Sequence, residues 1–303
     1  MDHMELDLRI SGNLLISTLN TVRTTDGAST TLLAGSSNGE AGFANGVGTV
    51  ARFNKTYVYQ IDSSSVIVVD SENHCMRLLN RNDNSVTDWL GDCGSAGTTD
   101  GEGNVVRFNQ PLSLTKDPSN SSIAYFIDKG ALSLRRLLIT ENKVETILNP
   151  GEFQEPDGMI VTNELFIVFD YPNVTFINRS TNLVEEELFE GDSATDGAIN
   201  NAAIGRVYSG TTLYSNVYII GDVTNDALRL VDKGSSYVTS ICSAANGEAL
   251  GPINQCSIPN VISLLYDGTC VLYIGTNDGI RKLSGINACL VINIFVRNMI
   301  AAF

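Results

Sequence analysis

Short, almost continuous apolar runs recur along this chain, and most of them end at an aspartate. They occupy residues 66–70, 123–128, 165–170, 217–222 and 271–276, and the last ends at threonine instead. Runs of this length, bounded by turn residues, are typical of β-strands that are covered on both faces. The pattern therefore predicts an all-β chain of many short strands.

A glycine-rich segment is repeated at a fixed distance. Residues 39–54 align with residues 94–109 after a shift of 55 positions without a gap. A period of this size indicates a solenoid or a propeller. Each copy is followed by an apolar strand, a second strand ending in Asp, a third strand carrying Arg, and a fourth strand. Four short antiparallel strands per unit predict one blade of a β-propeller.

The number of units predicts a single six-bladed propeller over residues 1–303. Five complete blades are expected at residues 36–92, 93–148, 149–192, 193–246 and 247–295. Residues 9–35 supply the outer strands of the sixth blade. We expect residues 296–303 to add its innermost strand, so that the N- and C-terminal strands close the ring, with residues 6–11 as the alternative. Residues 1–8 are then a terminal tail.

Three of the units place an arginine seven positions after the strand-end aspartate. This constant spacing puts the two side chains opposite each other across a hairpin. We interpret the three pairs as structural ion pairs, not as metal ligands. They are Asp70 with Arg77, Asp128 with Arg135, and Asp222 with Arg229.

Several of these motifs together resemble the NHL repeat. They are the turn Asp100-Gly101, the segment Val-Arg-Phe-Asn-Gln-Pro at 106–111, and Asn-His-Cys-Met-Arg at 73–77. The resemblance is strong over residues 33–148 and weaker elsewhere, since the third repeat has Thr175 in place of the hairpin Arg. It implies a six-bladed propeller that serves as an interaction surface.

The six cysteines fit the blade arrangement as three disulfide bonds, although six cysteines allow fifteen connectivities. The predicted pairs are Cys75 with Cys93, Cys242 with Cys256, and Cys270 with Cys289. Disulfide bonds indicate an oxidising compartment, and therefore a secreted or cell-surface protein. The alternative is that these residues are small buried hydrophobes. Glycosylation sequons at Asn54, Asn120, Asn173 and Asn178 fit export, but chance would supply about as many.

The charge balance restricts the partners. The chain has 34 acidic and 19 basic residues, a formal net charge of -15, which disfavours nucleic acid. A basic protein, a cation or a neutral glycan is easier to accommodate. Six acidic residues in the inter-blade loops are expected on one face of the propeller, where they would form an acidic binding rim or be solvated turn residues. They are Asp100, Glu102, Asp157, Asp192, Asp196 and Glu248.

Signals for catalysis are weak. Residues 35–39 match the Gly-x-Ser-x-Gly nucleophile motif, but no helix is predicted after them and the histidines are His3 and His74. Two histidines cannot build a three-histidine zinc site. Six-bladed hydrolases and lactonases hold calcium in the central channel with Asp, Glu and Asn oxygens, so calcium remains an open alternative.

Together these features predict a non-enzymatic extracellular module, most simply a monomer, that binds a protein or glycan through its loop face. No cofactor and no metal site are predicted, and no run of residues is long enough to span a membrane. The alternative function is a calcium-dependent hydrolase or lactonase.

Overall fold

The computed structural model describes residues 4–8, 13–26, 28–189, 195–242, 258–268, 271–276 and 279–284. Within these residues, 26 strands form six small antiparallel sheets arranged in a ring. The predicted all-β, six-bladed propeller is therefore confirmed.

The strands of blades 1 to 3 follow the chain in order. Blade 1 contains β1 (Met4–Leu8), β2 (Leu14–Thr18), β3 (Thr21–Thr25) and β4 (Thr30–Gly35). Blade 2 contains β5 (Gly46–Val47), β6 (Thr56–Gln60), β7 (Ser65–Asp70), β8 (Cys75–Asn80) and β9 (Ser85–Leu90). Blade 3 contains β10 (Gly101–Glu102), β11 (Pro111–Lys116), β12 (Ile123–Asp128), β13 (Ser133–Leu138) and β14 (Lys143–Leu148).

Blades 4 to 6 continue the same order. Blade 4 contains β15 (Pro156–Val161), β16 (Leu165–Asp170), β17 (Asn173–Asn178) and β18 (Val184–Phe189). Blade 5 contains β19 (Gly197–Ala198), β20 (Val207–Tyr214), β21 (Val217–Asp222), β22 (Ala227–Asp232) and β23 (Tyr237–Cys242). Blade 6 contains β24 (Val261–Tyr266), β25 (Val271–Thr276) and β26 (Gly279–Ser284). Single 3-10 turns occupy Gly48–Val50, Ser71–Asn73, Gly103–Val105, Lys129–Ala131 and Ile139–Glu141.

The innermost strands close the ring by contacting one another in sequence. β1, β6, β11, β15, β20 and β24 each contact the next, and β24 contacts β1. In blades 2, 3 and 5, a two-residue strand from the inter-blade loop also pairs with the outermost strand. In those blades the chain itself covers part of the outer sheet edge, where an unpaired strand would otherwise expose its backbone groups.

The predicted closure of the ring needs correction. Met4–Leu8 forms a strand that pairs with Leu14–Thr18 along its whole length, from Met4 opposite Thr18 to Leu8 opposite Leu14. These residues are therefore not a tail, and they occupy the inner position that we predicted for residues 296–303. The strand hydrogen-bonds the inner edge of β2 and contacts both neighbouring inner strands, β6 and β24. Residues 296–303 lie outside the described part of the chain.

Aromatic side chains pack the blades against one another. Tyr125 of blade 3 meets Phe166 of blade 4 edge to face, with ring centroids 4.9 Å apart. Phe176 of blade 4 lies 6.5 Å from Tyr218 of blade 5. Such contacts explain why the second strand of each blade is apolar throughout, since both of its faces are covered.

The predicted Asp–Arg pairs are present, and they also hold the inter-blade loops. Arg135 is fully buried and donates from Nη1 to Asp128 and to the Arg107 carbonyl, each at 2.7 Å. Its Nη2 donates to the Thr99 carbonyl and to Asp100, each at 2.9 Å. Arg77 and Arg229 repeat this arrangement, at 3.2 Å from Asp70 and 3.5 Å from Asp222. Each guanidinium therefore joins a hairpin to the loop that enters its own blade.

A disulfide bond strengthens the same region of blade 2. Cys75, at the start of β8, is bonded to Cys93 in the loop after β9, with Cα atoms 5.0 Å apart. This predicted pair is confirmed. Cys242 is also disulfide-bonded, but its partner lies outside the described residues, as do Cys256, Cys270 and Cys289. The other two predicted pairings therefore stay predictions.

Replacing Arg135 with alanine should destabilise the protein by about 3–5 kcal/mol, because it leaves Asp128 buried without its cation. The adjacent Arg136→Ala is the matched control, since Arg136 and its partner Glu145 are 35% and 28% exposed. We expect the control to cost less than about 1 kcal/mol. Urea unfolding of both variants measures the difference, and equal losses would contradict the structural role of Arg135.

Candidate functional site

The two faces of the ring differ in the connections they carry. Each inner strand begins at the face where the inter-blade loop enters, which we call the loop face. It ends at the opposite face, which we call the hairpin face and which carries the turn to the second strand. Of the predicted binding rim, Asp100 and Asp196 lie in inter-blade loops that enter at the loop face, whereas Glu102 lies in β10 and Asp157 is the second residue of β15.

Two of the predicted rim residues are bound by their own blades. Asp100 accepts hydrogen bonds from Arg135, from the Thr146 amide at 2.8 Å and from the Thr146 hydroxyl at 2.9 Å. Asp196 accepts from Arg229 at 3.1 Å, and from the Ser240 amide and hydroxyl at 2.9 Å. Both carboxylates therefore fasten a loop to the outermost strand of its blade.

A third rim residue, Asp157, lies in a charge-balanced cluster. Its carboxylate is 2.5 Å from Lys129 and 2.5 Å from Arg206, and Arg206 also contacts Glu155 at 2.5 Å. The Arg206 guanidinium lies over the rings of Tyr171 and Tyr208, 5.0 and 5.2 Å from their centroids. This carboxylate is thus already neutralised by two cations of the chain.

The remaining rim residues give no common surface within the described residues. Glu102 is exposed in β10, at the outer edge of blade 3. Asp192 and Glu248 lie outside the described part of the chain. Of the four rim residues that the structure describes, Asp100, Asp157 and Asp196 have partners within the chain, and Glu102 is exposed.

A cavity of about 510 Å³ lies in the central channel. Its lining comes mainly from the C-terminal halves of the inner strands of blades 2 to 6, so the cavity lies toward the hairpin face. The volume is within the range of small-ligand sites. The polar residues among the lining are Gln60, Ser113, Thr115, Lys116, Ser209, Thr211, Thr212 and Ser263.

Three serines occupy the same place in this lining. Ser113 and Ser209 each accept a backbone N–H from the next blade, that of Met159 at 3.1 Å and that of Leu264 at 2.9 Å. Ser263 is the third, and its hydroxyl is buried without a hydrogen-bond partner among the described residues. A buried hydroxyl without a partner costs free energy, and because solvent does not reach this one, it is not a contact point for a ligand in the cavity.

Sequence reasoning missed these serines, although a signal was present. Each is the third residue of an inner strand that is otherwise largely apolar at its start, in β11, β20 and β24. A polar residue that recurs at one repeat position is as informative as the recurring Asp and Arg. The recurrence becomes meaningful once the inner strands are known to surround the channel.

The described lining of the cavity does not suit calcium. Calcium sites in proteins take six to eight oxygen ligands, usually including several carboxylates. Among the described lining residues the charged side chain is Lys116, whose ammonium group would repel a cation. No group of three or more His, Cys, Asp or Glu residues in the described regions has the geometry of a metal site.

The sequence motifs considered for catalysis lie in structural positions. The Gly-x-Ser-x-Gly segment follows β4 and continues into a loop, not into a helix. His74 is in a left-handed conformation, and its Nδ1 accepts the backbone N–H of Gln110 at 3.2 Å. The motif thus lacks the strand-to-helix turn that exposes a nucleophile in hydrolases.

The disulfide bond, the exposure of the sequon asparagines and the hydropathy of the helices bear on the cellular location. The Cys75–Cys93 bond is the expected mark of an oxidising compartment. Of the sequon asparagines, Asn120 is exposed, while Asn54, Asn173 and Asn178 are half-buried. No helix of the described chain has the length and hydropathy needed to cross a bilayer.

A salt bridge beside the cavity connects blades 3 and 4 at the hairpin face. Arg179 donates to Asp117 at 2.5 Å and to the Tyr125 hydroxyl at 3.0 Å. Ser119 donates its amide and hydroxyl to the same carboxylate at 2.8 and 2.7 Å. Burial acts to raise the pKa of Asp117, but these hydrogen bonds and the charge of Arg179 outweigh it and lower the pKa to about 2. Asp117 directly follows Lys116 of the cavity lining.

The Asp117 contribution to stability should disappear in acid. Its folded-state pKa of about 2 lies below the ordinary value of 3.8, so the folded protein binds fewer protons than the unfolded chain between these values. The stabilisation is complete above about pH 4 and is lost as the pH falls toward 2. Asp117→Asn should cost about 1.5–3 kcal/mol at neutral pH and flatten this acid limb. Urea unfolding across pH measures it, and unchanged acid limbs would contradict the role of Asp117.

No protein-family model matches the chain, and no curated protein matches its sequence. Solved structures do match its fold. An auxiliary nutrient binding protein from Bacteroides thetaiotaomicron is 13% identical, with a TM-score of 0.62 over 92% of this chain and 68% of its own. Virginiamycin B lyase from Staphylococcus aureus is 12% identical, with a TM-score of 0.57 over 94% of this chain and 95% of its own.

A third structure is the extracellular domain of a proposed one-component system from B. thetaiotaomicron. It is 15% identical, with a TM-score of 0.55 over 95% of this chain and 39% of its own. At these identities the similarity shows the six-bladed fold alone, and the fold serves both binding proteins and a lyase. The resemblance to NHL repeats stays a prediction from the sequence.

Proposed function

We propose that this chain is a non-enzymatic binding module of an exported protein and that it recognises a glycan in its central channel. The observation that carries the proposal is the cavity of about 510 Å³, whose described polar lining consists of hydroxyl groups, one amide and one ammonium group. Sugar rings present hydroxyls that both donate and accept hydrogen bonds, which is the chemistry that such a lining offers.

The polar groups of the lining have complementary roles. Ser113 and Ser209 accept backbone hydrogen bonds, which leaves their hydroxyl hydrogens available to a sugar oxygen. Lys116 is exposed near the hairpin face and can bind a ring oxygen or the carboxylate of an acidic sugar. The proposed ligand is thus a neutral or acidic oligosaccharide, and the site is the channel instead of the predicted loop face.

Binding is favoured over hydrolysis by the types of side chain in the channel. The described lining carries no carboxylate and no histidine that could act as a general base or hold calcium. The three strand-end carboxylates Asp70, Asp128 and Asp222 are paired with buried arginines. The alternative of a calcium-dependent hydrolase or lactonase therefore lacks support from the described residues.

Export is supported by two independent observations. The Cys75–Cys93 bond requires an oxidising environment to persist. Structures of similar fold include an extracellular domain and a nutrient binding protein. We therefore place the proposed binding function outside the cytosol.

Titration calorimetry against a panel of neutral and uronic-acid oligosaccharides tests the proposal. We expect at least one to bind, and Thr211→Val and Thr212→Val, at two half-buried positions of the lining, should each weaken it by about tenfold through loss of one hydrogen bond. Thr87→Val is the matched control, because Thr87 is exposed on the outermost strand of blade 2. Its affinity should equal that of the parent protein.

The same samples test the enzymatic alternative. Melting temperature with calcium and with chelator should be equal, and lactone and ester substrates should remain intact. A calcium-dependent rise in melting temperature together with turnover would overturn the binding proposal. Failure of the whole panel to bind, or parent-like binding by both the Thr211 and the Thr212 variant, would remove the channel as the site.

A further inference from the structure

Blade 4 keeps the strand-end aspartate but has no arginine to pair with it. In blade 3, Asp128 lies opposite Ser133, and Arg135 follows two residues later. In blade 4, Asp170 lies opposite Asn173, so Thr175 occupies the position of the arginine. Asp170 and Thr175 are both buried. The Asp170 carboxylate accepts backbone hydrogen bonds from Gln154 and Glu155 at 2.7–3.1 Å. Among the described residues, Asp170 has no cationic partner of the kind found in blades 2, 3 and 5.

A second carboxylate lies beside the position of the missing guanidinium. Glu187 pairs with Thr175 just as Asp88 of blade 2 pairs with Arg77. In blade 2 the guanidinium of Arg77 is shared by Asp70 at 3.2 Å and by Asp88 at 3.5 Å. Blade 4 therefore repeats both acidic positions of a site that holds a guanidinium elsewhere in the same chain.

The charges around Asp170 show the cost of the missing cation. Burial raises the pKa of Asp170, backbone hydrogen bonds from Glu155 and Gln154 oppose that rise, and the neighbouring Glu187 and Asp157 add to it. Asp157 is itself bound to Lys129 and Arg206, so the unmatched pair is Asp170 and Glu187. A cation at this position would be attracted by both carboxylates.

The two-residue edge strand of blades 2, 3 and 5 is also missing from the described part of blade 4. The loop from β14 to β15 has seven residues, 149–155, whereas the loop from β9 to β11 has twenty, 91–110, and supplies β10. Among the described residues β18 pairs with β17 alone, so its outer edge is unpaired. Leu183 and Val184, at the start of this edge, are 67% and 56% exposed.

Blade 3 shows how a segment at the outer edge reaches the arginine position. Asp100 directly precedes β10, the strand that pairs with the outermost strand β14. From there its carboxylate hydrogen-bonds Arg135 in the third strand and the Thr146 amide in the fourth. In blade 3 the acid is on the edge segment and the cation is in the blade. In blade 4 both charges at this place, those of Asp170 and Glu187, are negative. An edge segment that matches them has to carry the cation itself.

We propose that the outer edge of blade 4 is a docking site for an extended segment of a partner protein that carries an arginine. The segment adds to β18 as a fifth strand, as β10 adds to β14, and covers Leu183 and Val184. Its guanidinium binds Glu187 and approaches Asp170, and so replaces in trans the arginine that blades 2, 3 and 5 supply themselves. This inference is independent of the glycan site.

Fluorescence anisotropy with a labelled heptapeptide of alternating threonine and valine, with arginine at its centre, tests the proposal. The control peptide carries citrulline, which has the same shape without the charge. We expect the arginine peptide to bind about tenfold more tightly than the citrulline peptide, and Glu187→Gln to remove most of that difference. Glu164→Gln, an exposed change of the same charge on the same blade, should leave it intact.

Thr175→Arg is the decisive second variant, because it restores the guanidinium within the chain. It should raise the melting temperature by a few degrees and abolish the preference for the arginine peptide. Equal binding of the two peptides by the parent protein, or an unchanged preference in Glu187→Gln, would overturn the proposal. Self-association of the chain that Glu187→Gln abolishes would identify a second copy as the occupant, which contradicts a different partner.

Discussion

The organisation of this propeller depends on a buried guanidinium that binds a strand-end carboxylate on one side and loop carbonyls on the other. Three blades use this arrangement, and in each the arginine is fully buried. A buried charge is stable only when it is paired and hydrogen-bonded, so the loop cannot leave without exposing the pair to a large desolvation penalty. The inter-blade loops are thereby fixed by electrostatics as well as by their glycine-rich turns.

This constraint distinguishes the residues that stabilise the fold from the surfaces that are available for recognition. Asp100 and Asp196 hydrogen-bond the buried Arg135 and Arg229, and their carboxylates therefore stabilise the fold. The channel lining is not part of that network, and Ser113 and Ser209 each keep a hydroxyl hydrogen to donate while they accept a backbone N–H. The described part of blade 4 lacks both the guanidinium and the covering strand of blades 2, 3 and 5. The carboxylates of Asp170 and Glu187 are therefore left there without a cation among the described residues.

The sequence predicted those features that depend on local spacing. The hairpin that brings Asp128 to Arg135 and the turn that brings Cys75 near Cys93 follow from strand order within one blade. The hydrogen bond from the Thr146 amide to the Asp100 carboxylate joins residues 46 positions apart in the sequence, and it depends on the path of a whole loop. The inner strand Met4–Leu8 was predicted only in part, as the alternative at residues 6–11, because its apolar and polar residues alternate over too few positions to distinguish a strand from a tail. The channel could not be predicted from single strands, since blades 2 to 6 all contribute to it.

The loop acids Asp100 and Asp196 are structural partners of the buried arginines. A double-mutant cycle between Asp100 and Arg135, measured by the free energy of unfolding in urea, tests it most directly. The arrangement predicts that the effects of Asp100→Ala and Arg135→Ala are not additive, with a coupling of about 1–3 kcal/mol. Additive effects, with no coupling between the two positions, would contradict it.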